Sequence, residues 1–189
     1  MYHSLLKTIN IHAVLIAIDD DLANKARKNP CAYCGGPLHQ ANYPRSPLGL
    51  PEPCRDYYQQ RYSFCCGDCR KRVTIPSVRF FGRRRFPAAV MVLISAFMSD
   101  NSRRGYSKVK RFFGMTISLR TWVRWRCWWR DCFVNTTFWK QAKARLPPSY
   151  HDGPYPRKLF LNYQGRLSKQ LEMVLQFLAP LTAGVYRAV

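Results

Sequence analysis

Two Cys-x-x-Cys pairs, Cys31–Cys34 and Cys66–Cys69, constrain the fold of this chain more than any other feature of its sequence. Together they offer four thiolates, which are enough to bind one zinc ion tetrahedrally. Gly35 directly follows the first pair, where glycine lets the backbone turn tightly because it tolerates positive φ. The spacing therefore predicts a small zinc ribbon over residues 30–76, with a closed site that stabilises the fold and leaves no position for a catalytic water.

The sequence leaves alternatives for the ligand set. Between Cys34 and Cys66 lie 31 residues, more than the roughly 15–20 residues common in zinc ribbons, and a long proline-rich loop would hold the excess. Cys65 is an alternative to Cys66, and Cys54 and His39 are weaker substitutes. We expect zinc to be bound by at least three of the four cysteines. The competing interpretation is a set of buried thiols that bind no metal.

The basic residues of the chain are concentrated in its middle. The formal net charge is +21, from 31 Lys and Arg against 10 Asp and Glu. Residues 61–145 contain 20 basic and three acidic residues, a local balance of +17. Such a field attracts polyanions, and Arg, which outnumbers Lys 21 to 10, suits bidentate contacts with phosphate. The pattern favours a nucleic-acid partner over the alternative that the charge only keeps the protein in solution.

Eight cysteines would also suit a secreted disulfide protein, but other features favour a reducing cytoplasm. The apolar run Ile11–Ile18 is followed by three aspartates without a small-residue cleavage site, unlike a signal peptide. The apolar run Ala88–Phe97 is too short to span a bilayer. We therefore expect a cytoplasmic, nucleoid-associated protein with no membrane segment.

The pattern of apolar residues and turn residues predicts an α+β, mainly helical fold, in which a small zinc ribbon precedes a helix-turn-helix bundle. Asp19–Asp21 are expected to supply a helix cap in the N-terminal segment. Residues 88–98 are apolar nearly all round, which predicts a buried helix. Four segments follow from these patterns: an N-terminal helical segment (1–29), the zinc ribbon (30–76), a basic helix-turn-helix domain (77–145), and a linker with a C-terminal helix (146–189).

The segment Lys108–Arg126 has the pattern of a helix-turn-helix. A short helix is predicted to end at Gly114, and a longer helix is predicted to begin at the capping residue Ser118 and to reach Phe133. In such a motif the second helix enters the major groove of DNA with its N-terminal residues. The competing interpretation is an ordinary helical hairpin. The candidate contacts to nucleic acid are Lys108, Lys110, Ser118, Arg120, Thr121 and Arg124.

The aromatic residues of the longer helix are assigned to the core. At 3.6 residues per turn, Trp122, Trp125, Trp129 and Phe133 form one stripe. The arginines at 120 and 124 and Trp128 point away from that stripe, so we expect the two arginines to be available for a ligand.

The connector at residues 77–86 is basic and aromatic. Arg79, Arg83, Arg84 and Arg85 are candidates for contacting phosphates or for entering a minor groove as an arm. The phenylalanines of the connector are expected in the core. The competing interpretation is a solvated face, which is what a run of charge alone usually marks.

The order of a zinc ribbon, a basic connector, an apolar helix and the sequence FFGMTISLRTWVRW resembles the N-terminal DNA-binding half of insertion-sequence transposases and of small proteins encoded with them. The sequence RYSFCCGDCRKR is similar to the second cysteine pair of their zinc ribbons. The resemblance covers residues 30–140. It implies that Cys31, Cys34, Cys66 and Cys69 bind zinc and that Ser118–Arg130 is the recognition helix.

The chain departs from those transposases in its acidic residues. Their catalytic domain uses three acidic residues to bind two metal ions, whereas only Asp131, Asp152 and Glu172 follow the predicted helix-turn-helix here. We therefore expect a non-enzymatic, zinc-dependent protein that binds double-stranded DNA, an accessory or truncated transposase-like protein of a mobile element, with a separate transposase or recombinase as partner. The alternatives are an RNA-binding protein, a DNA-cleaving recombinase subunit, and a structural subunit that neutralises a larger nucleoprotein.

Overall fold

The structure, a computed structural model, describes residues 2–82, 84–98 and 103–183. The fold is α+β and mainly helical, with 58% helix and two small sheets, as the sequence predicts. The α-helices of the described ranges are α1 (Tyr2–Lys7), α2 (Ile9–Arg27), α3 (Ala88–Phe97), α4 (Arg103–Phe113), α5 (Leu119–Cys127), α6 (Thr137–Ala142), α7 (Arg157–Leu161) and α8 (Leu167–Leu178). The strands are β1 (Leu38–Gln40), β2 (Tyr43–Pro44), β3 (Gln60–Arg61), β4 (Ser63–Cys66) and β5 (Arg72–Thr74).

Three of these strands form the antiparallel sheet that carries the second cysteine pair. β4 lies between β1 and β5, with Leu38 opposite Cys66 and Cys65 opposite Arg72. β2 and β3 form a separate two-stranded ladder. The long stretch between the cysteine pairs was expected to be a loop, but it contains β1, β2, a 3-10 helix at Glu52–Tyr58 and β3. The additional residues between the two cysteine pairs therefore form short strands and a 3-10 helix, and they are not one long loop.

α3 lies within the helical core. Every residue from Ala88 to Ile94 is buried, and the helix packs against α1, α5, α7 and α8. Pro87 precedes its first turn, where the missing N–H removes no helical hydrogen bond. The prediction of a buried helix at 88–98 is confirmed.

One hydrophobic core joins residues from three of the four predicted segments. Leu15 of α2, Trp125 of α5 and Leu171 of α8 are all buried in it. The C-terminal segment therefore packs into the same core as the basic helices. Among the described residues, no helix combines the length and the apolar character that crossing a bilayer requires.

The helix that begins at Leu119 changes its winding after Cys127. A π-helical turn follows at Trp128–Cys132, in which the N–H of Phe133 donates to the carbonyl of Trp128, and a 3-10 turn completes the segment. The predicted aromatic stripe is confirmed, because all four of its residues are at most 4% exposed. The expected single helix to Phe133 is instead α5 followed by a wide turn and a 3-10 turn, and the rings of Trp128 and Trp129 both contact Phe133.

Asp19 and Arg79 form a buried ion pair, which corrects two predictions. Asp19 lies inside α2 and caps no helix, and the Arg79 Nε donates to its Oδ2 at 2.7 Å, with both side chains 1% exposed. Ser77 Oγ and the Val78 N–H also donate to this carboxylate, at 2.6 and 2.8 Å. The prediction that Arg79 contacts phosphate is therefore wrong, because its guanidinium is already used inside the protein.

The buried arginines hold the segment between the two cysteine pairs against the helices. Arg79 also donates to the backbone carbonyls of Tyr57 and Gln60. Arg61 is 1% exposed and donates to the carbonyl of Ile75 at 2.6 Å and to that of Thr182 at 3.3 Å. Since buried guanidinium groups need partners, these contacts fix that segment relative to α2 and the C-terminal turn.

Candidate metal centre and basic groove

The four predicted cysteines lie together in one cluster. The sulfur atoms of Cys31, Cys34, Cys66 and Cys69 are all within 4.8 Å of one another, with 3.7 Å between Cys31 and Cys69 and 3.4 Å between Cys34 and Cys66. All four are free thiols. Tetrahedral zinc with Zn–S bonds of about 2.3 Å separates its sulfur ligands by about 3.8 Å. The cluster is therefore of the right size to hold one metal ion.

Tight turns place both cysteine pairs. After α2 the chain reverses through Gly35, whose φ of 77° confirms the positive φ predicted for it, and the Gly35 N–H donates to the Cys31 carbonyl at 2.8 Å. Cys66 ends β4, and Cys69 lies in the turn before β5. A side chain at Gly36 would lie 3.1 Å from the Cys66 sulfur and closer still to Asp68. Glycine at 36 therefore lets the first turn approach the second.

The structure decides between the alternative ligands. Cys66 is buried inside the cluster, whereas the Cys65 thiol lies 3.5 Å from the carbonyl of Arg70, outside the cluster. Adjacent residues of a strand face opposite sides of the sheet, so only one of the two can reach the first pair. Neither Cys54 nor His39 belongs to the cluster.

The four thiols influence one another's ionisation because their sulfur atoms are close. The backbone N–H of Cys69 lowers the pKa of the Cys66 thiol to about 7, although burial acts in the opposite direction. For Cys69 the N–H of Lys71 acts to lower the pKa, but burial and the thiols of Cys31, Cys34 and Cys66 outweigh it and raise the pKa to about 12. A second negative charge in this cluster therefore needs a cation, which a metal supplies as it displaces the protons.

A groove of about 600 Å³ brings the connector next to α5. Arg84 and Arg85 of the connector and Thr121 and Arg124 of α5 line it. These are four of the candidate residues that the sequence singled out, and they come from two separate motifs. The aromatic residues that line the same groove are Phe81, Phe86, Trp125 and Trp128.

The charges in this groove are held close together. The Arg84 Cζ lies 5.1 Å from the ring centre of Trp128, a cation–π contact that orients the guanidinium. Burial, and then the positive charge of Arg124, lower the pKa of Arg84. None of the ion pairs in the described part of the chain includes either arginine. The groove therefore combines adjacent positive charges with an aromatic wall, and an anion would relieve their repulsion.

Four further candidates, Ser118, Arg120, Lys108 and Lys110, are not among the residues that line the groove. Ser118 caps α5, since its Oγ accepts from the Thr121 N–H at 3.2 Å, as predicted for a helix cap. Arg120 is exposed near the start of α5, and Lys108 and Lys110 are exposed on α4. Arg83 lies outside the described residues.

Sequence reasoning did not link the other lining residues of the groove to a ligand: Phe81, Phe86 and Trp125 were assigned to the core, and Trp128 and Thr136 were given no binding role. Trp128 was placed off the buried stripe, and its half-buried side chain agrees with that, but nothing linked it to Arg84. Thr136 carries no sequence signal for a ligand, because its hydroxyl caps α6 by accepting from the Trp139 N–H.

α4 and α5 are two helices joined by a short turn at the predicted place. Gly114 ends α4 with a φ of 62°. α4 packs on α1, whereas α5 packs on α3. The two helices and the turn are present, and the identity of this segment as a DNA-binding helix-turn-helix stays a prediction.

The acidic residues after α5 do not gather into a metal site. Asp131 pairs with Arg130 at 2.7 Å, and Glu172 pairs with Lys169 at 2.7 Å. Asp152 is exposed in a loop. Within the described ranges, the four cysteines are the one group of three or more Cys, His, Asp or Glu residues close enough to share a metal.

Comparison with protein-family models, with curated proteins and with solved structures finds no match to this chain. The interpretation of the metal centre and the groove therefore depends on the residues themselves.

Proposed function

We propose that this protein is a zinc-stabilised DNA-binding protein that holds the phosphate backbone of duplex DNA in the groove between the connector and α5. One observation carries the proposal: Arg84 and Arg124 are held next to each other without a described acidic partner. A protein that is +21 overall attracts nucleic acid over long range, and such a groove gives that attraction a place to act.

The chemistry of the groove suits a phosphodiester. Arginine binds phosphate through two parallel N–H groups, and the contact with Trp128 holds the Arg84 guanidinium in one orientation. Arg85 and Arg124 add charge, and the Thr121 hydroxyl adds a neutral donor. Contacts of this kind fix the register of a protein on DNA without reading its sequence.

α5 is the element that we assign to base readout. Arg120 and Arg124 are one helical turn apart and exposed, so that both can reach DNA from one face of the helix. Each bidentate contact between arginine and guanine discriminates by about 1–3 kcal/mol. Arg124 therefore has two roles in this proposal, since it borders the phosphate groove and the readout face.

Zinc is the metal that we assign to the four cysteines. Four thiolates in a closed tetrahedral set are typical of structural zinc, which would join the two cysteine turns and leave no open position for a substrate. Cys31 and Cys34 follow α2, and Cys66 and Cys69 flank the turn that leads through β5 to the connector. Bound zinc would therefore fix the start of the connector relative to α2.

An accessory role in a mobile element is part of the same proposal. It depends on the resemblance of residues 30–140 to the DNA-binding half of insertion-sequence transposases. On this view a separate transposase or recombinase supplies the catalysis. Mixing the two proteins on transposon-end DNA should give a larger complex than either forms alone, as measured by native gel shift.

The direct test is selection of bound fragments from random duplex DNA by the zinc-loaded protein at near-physiological salt. We expect a defined motif to be enriched, and Arg120→Gln to relax it. Arg84→Gln should weaken binding to all fragments alike, whereas the matched change Arg166→Gln, outside the groove, should have little effect. Stronger competition by single-stranded RNA than by duplex DNA would instead identify an RNA-binding protein.

A further inference from the structure

A second cavity, of about 370 Å³, lies against the end of α5 and the π-helical turn. It shares no lining residue with the basic groove. The end of α3 and the loop at Gly153–Tyr155 complete its wall. This volume is within the range of sites for small molecules, and the proposed DNA-binding function leaves the cavity without a role.

Two buried polar atoms of this wall lack partners. Trp129 is 2% exposed, and neither its Nε1 nor the Oγ of Ser95 has a hydrogen-bond partner in the described part of the chain. Both residues line the cavity. Native proteins leave few buried donors unpaired, so a ligand with acceptor oxygens would explain the pair.

The charges around the cavity favour an anionic ligand. Arg126, Arg130 and Arg157 line it. Asp131 pairs with Arg130 at 2.7 Å, whereas none of the ion pairs among the described residues includes Arg157. Val134 and the Tyr155 ring supply apolar surface beside these charges. A ligand that matches both features carries a strong anion on an apolar body.

The π-helical turn gives an independent indication of a site. Such turns are rare, and they often occur at functional sites. Here the turn places Trp129 in the cavity and the adjacent Trp128 in the groove. The rings of Trp128 and Trp129 are in contact, with centroids 4.8 Å apart, so the groove and the cavity adjoin through this pair.

We propose that this cavity binds a phosphate monoester, with the phosphate between the arginines and the Trp129 N–H and Ser95 hydroxyl donating to its oxygens. A dianionic phosphate matches several guanidinium groups better than a carboxylate does. The monoester comes either from a free phosphorylated small molecule or from the 5′-phosphate at the end of a nucleic-acid strand.

The test follows the indole N–H signals of the full-length, zinc-loaded protein by NMR. The chain has five tryptophans, and Trp129→Phe identifies the signal of residue 129. Titration with phenyl phosphate should shift that signal in a saturable way, whereas phenol, which lacks the charge, should not. Arg157→Gln should weaken this binding roughly tenfold or more, and Ser95→Ala should weaken it in the same direction. The matched change Arg166→Gln, outside the cavity, should leave it unchanged.

A second titration distinguishes the two sources. A short oligothymidylate with a 5′-phosphate is compared with the same strand carrying a 5′-hydroxyl. Saturation of the Trp129 signal by phenyl phosphate supports a small-molecule ligand, and saturation only by the phosphorylated strand supports a strand end. A Trp129 signal that moves with neither probe overturns the proposal, as does an unchanged midpoint in folded Arg157→Gln protein.

This proposal and the proposed function fail separately. Loss of duplex binding in Arg84→Gln protein, together with an unchanged Trp129 signal response to phenyl phosphate, would support both proposals. A response of the Trp129 signal in a protein that binds no duplex DNA would support the phosphate site in the cavity and contradict the proposed DNA-binding groove.

Discussion

Arg79 and Arg84 stand five positions apart in one basic run, yet they lie in opposite environments. Arg79 is 1% exposed and bound to Asp19, whereas Arg84 borders an open groove beside Arg124. The first connects α2 to the segment between the cysteine pairs, and the second belongs to a surface without a described acidic partner. The comparison teaches that two arginines of one basic run can differ completely in burial and in partners, so a run of charge does not show which of its members can meet a ligand.

The largest expected effect comes from substitutions in the four-cysteine cluster, the candidate metal centre. Cys66→Ser should abolish stoichiometric zinc and unfold the ribbon, because binding of structural zinc contributes about 10–16 kcal/mol in zinc-finger peptides. Zinc content by mass spectrometry and the near-ultraviolet circular dichroism check this. The matched change Cys65→Ser should keep both zinc and fold. Retention of zinc by Cys66→Ser protein together with its loss from Cys65→Ser protein would reverse the ligand assignment.

The next largest effect is the difference in stability between the Arg79 and Arg84 variants. Arg79→Gln should lower the free energy of unfolding by about 3–5 kcal/mol, because it leaves the Asp19 carboxylate buried without its partner. Arg84→Gln should lower it by no more than about 1 kcal/mol, since this side chain has no described ion pair to lose. Urea unfolding of both variants measures the difference. Equal losses would remove the distinction between buried and groove arginines.

Substitution of the groove arginines should weaken duplex binding and reduce the dependence of that binding on salt. Arg84→Gln and Arg124→Gln should each weaken duplex binding about tenfold, or about 1.4 kcal/mol. Each lost phosphate contact should also reduce the slope of log K against log salt by about 0.9. Fluorescence anisotropy at several salt concentrations measures both quantities. Binding that does not change between low and moderate salt would contradict a phosphate groove.

Substitution of Ser118, a candidate DNA contact, tests whether this residue instead stabilises the fold as a helix cap. Ser118→Ala should lower the free energy of unfolding by about 1 kcal/mol, because the N-terminal N–H of Thr121 loses its acceptor. DNA affinity should change little, and Ser118→Asp, which preserves a cap, should restore stability. A large loss of affinity in stable Ser118→Ala protein would return this residue to the interface.

The buried side chain of His12 should make the stability of the protein depend on pH. Burial lowers the pKa of His12 below its usual value, although a hydrogen bond to the Leu6 carbonyl opposes this. The unfolded chain therefore takes up a proton before the folded protein does, and stability falls as the pH drops below about 6.5. Between pH 7.5 and 5.5 the free energy of unfolding should therefore decrease because of this group. Urea unfolding at both pH values should show a smaller difference for His12→Gln.

Local patterns predicted a substantial part of this molecule. The four cysteines, the buried helix α3 and the Ser118 cap follow from spacing, from continuous apolar character and from a capping residue, all of which act over a few neighbouring residues. The tryptophan stripe was predictable for the same reason, since a helix repeats its faces every few positions. The mobile-element role and DNA binding stay predictions.

Long-range contacts were beyond such patterns. Nothing in the runs around Asp19 and Arg79 shows that they meet, because these residues are 60 positions apart in the sequence and only packing brings them together. The choice of Cys66 over Cys65 required the register of β4, which sets the side of the sheet that each thiol faces. The cavity beside Trp129 is lined by residues of a π-helical turn, which no residue pattern indicated.

The sequence by itself determined the candidate metal ligands, the burial of α3 and the strongly basic middle of the chain, because these depend on residue type and short spacing. Only the tertiary structure decided which arginines are used inside the protein and which border the groove. The reason is physical: a guanidinium has the same charge everywhere, and what it binds is set by whether packing brings a carboxylate or leaves open space beside it.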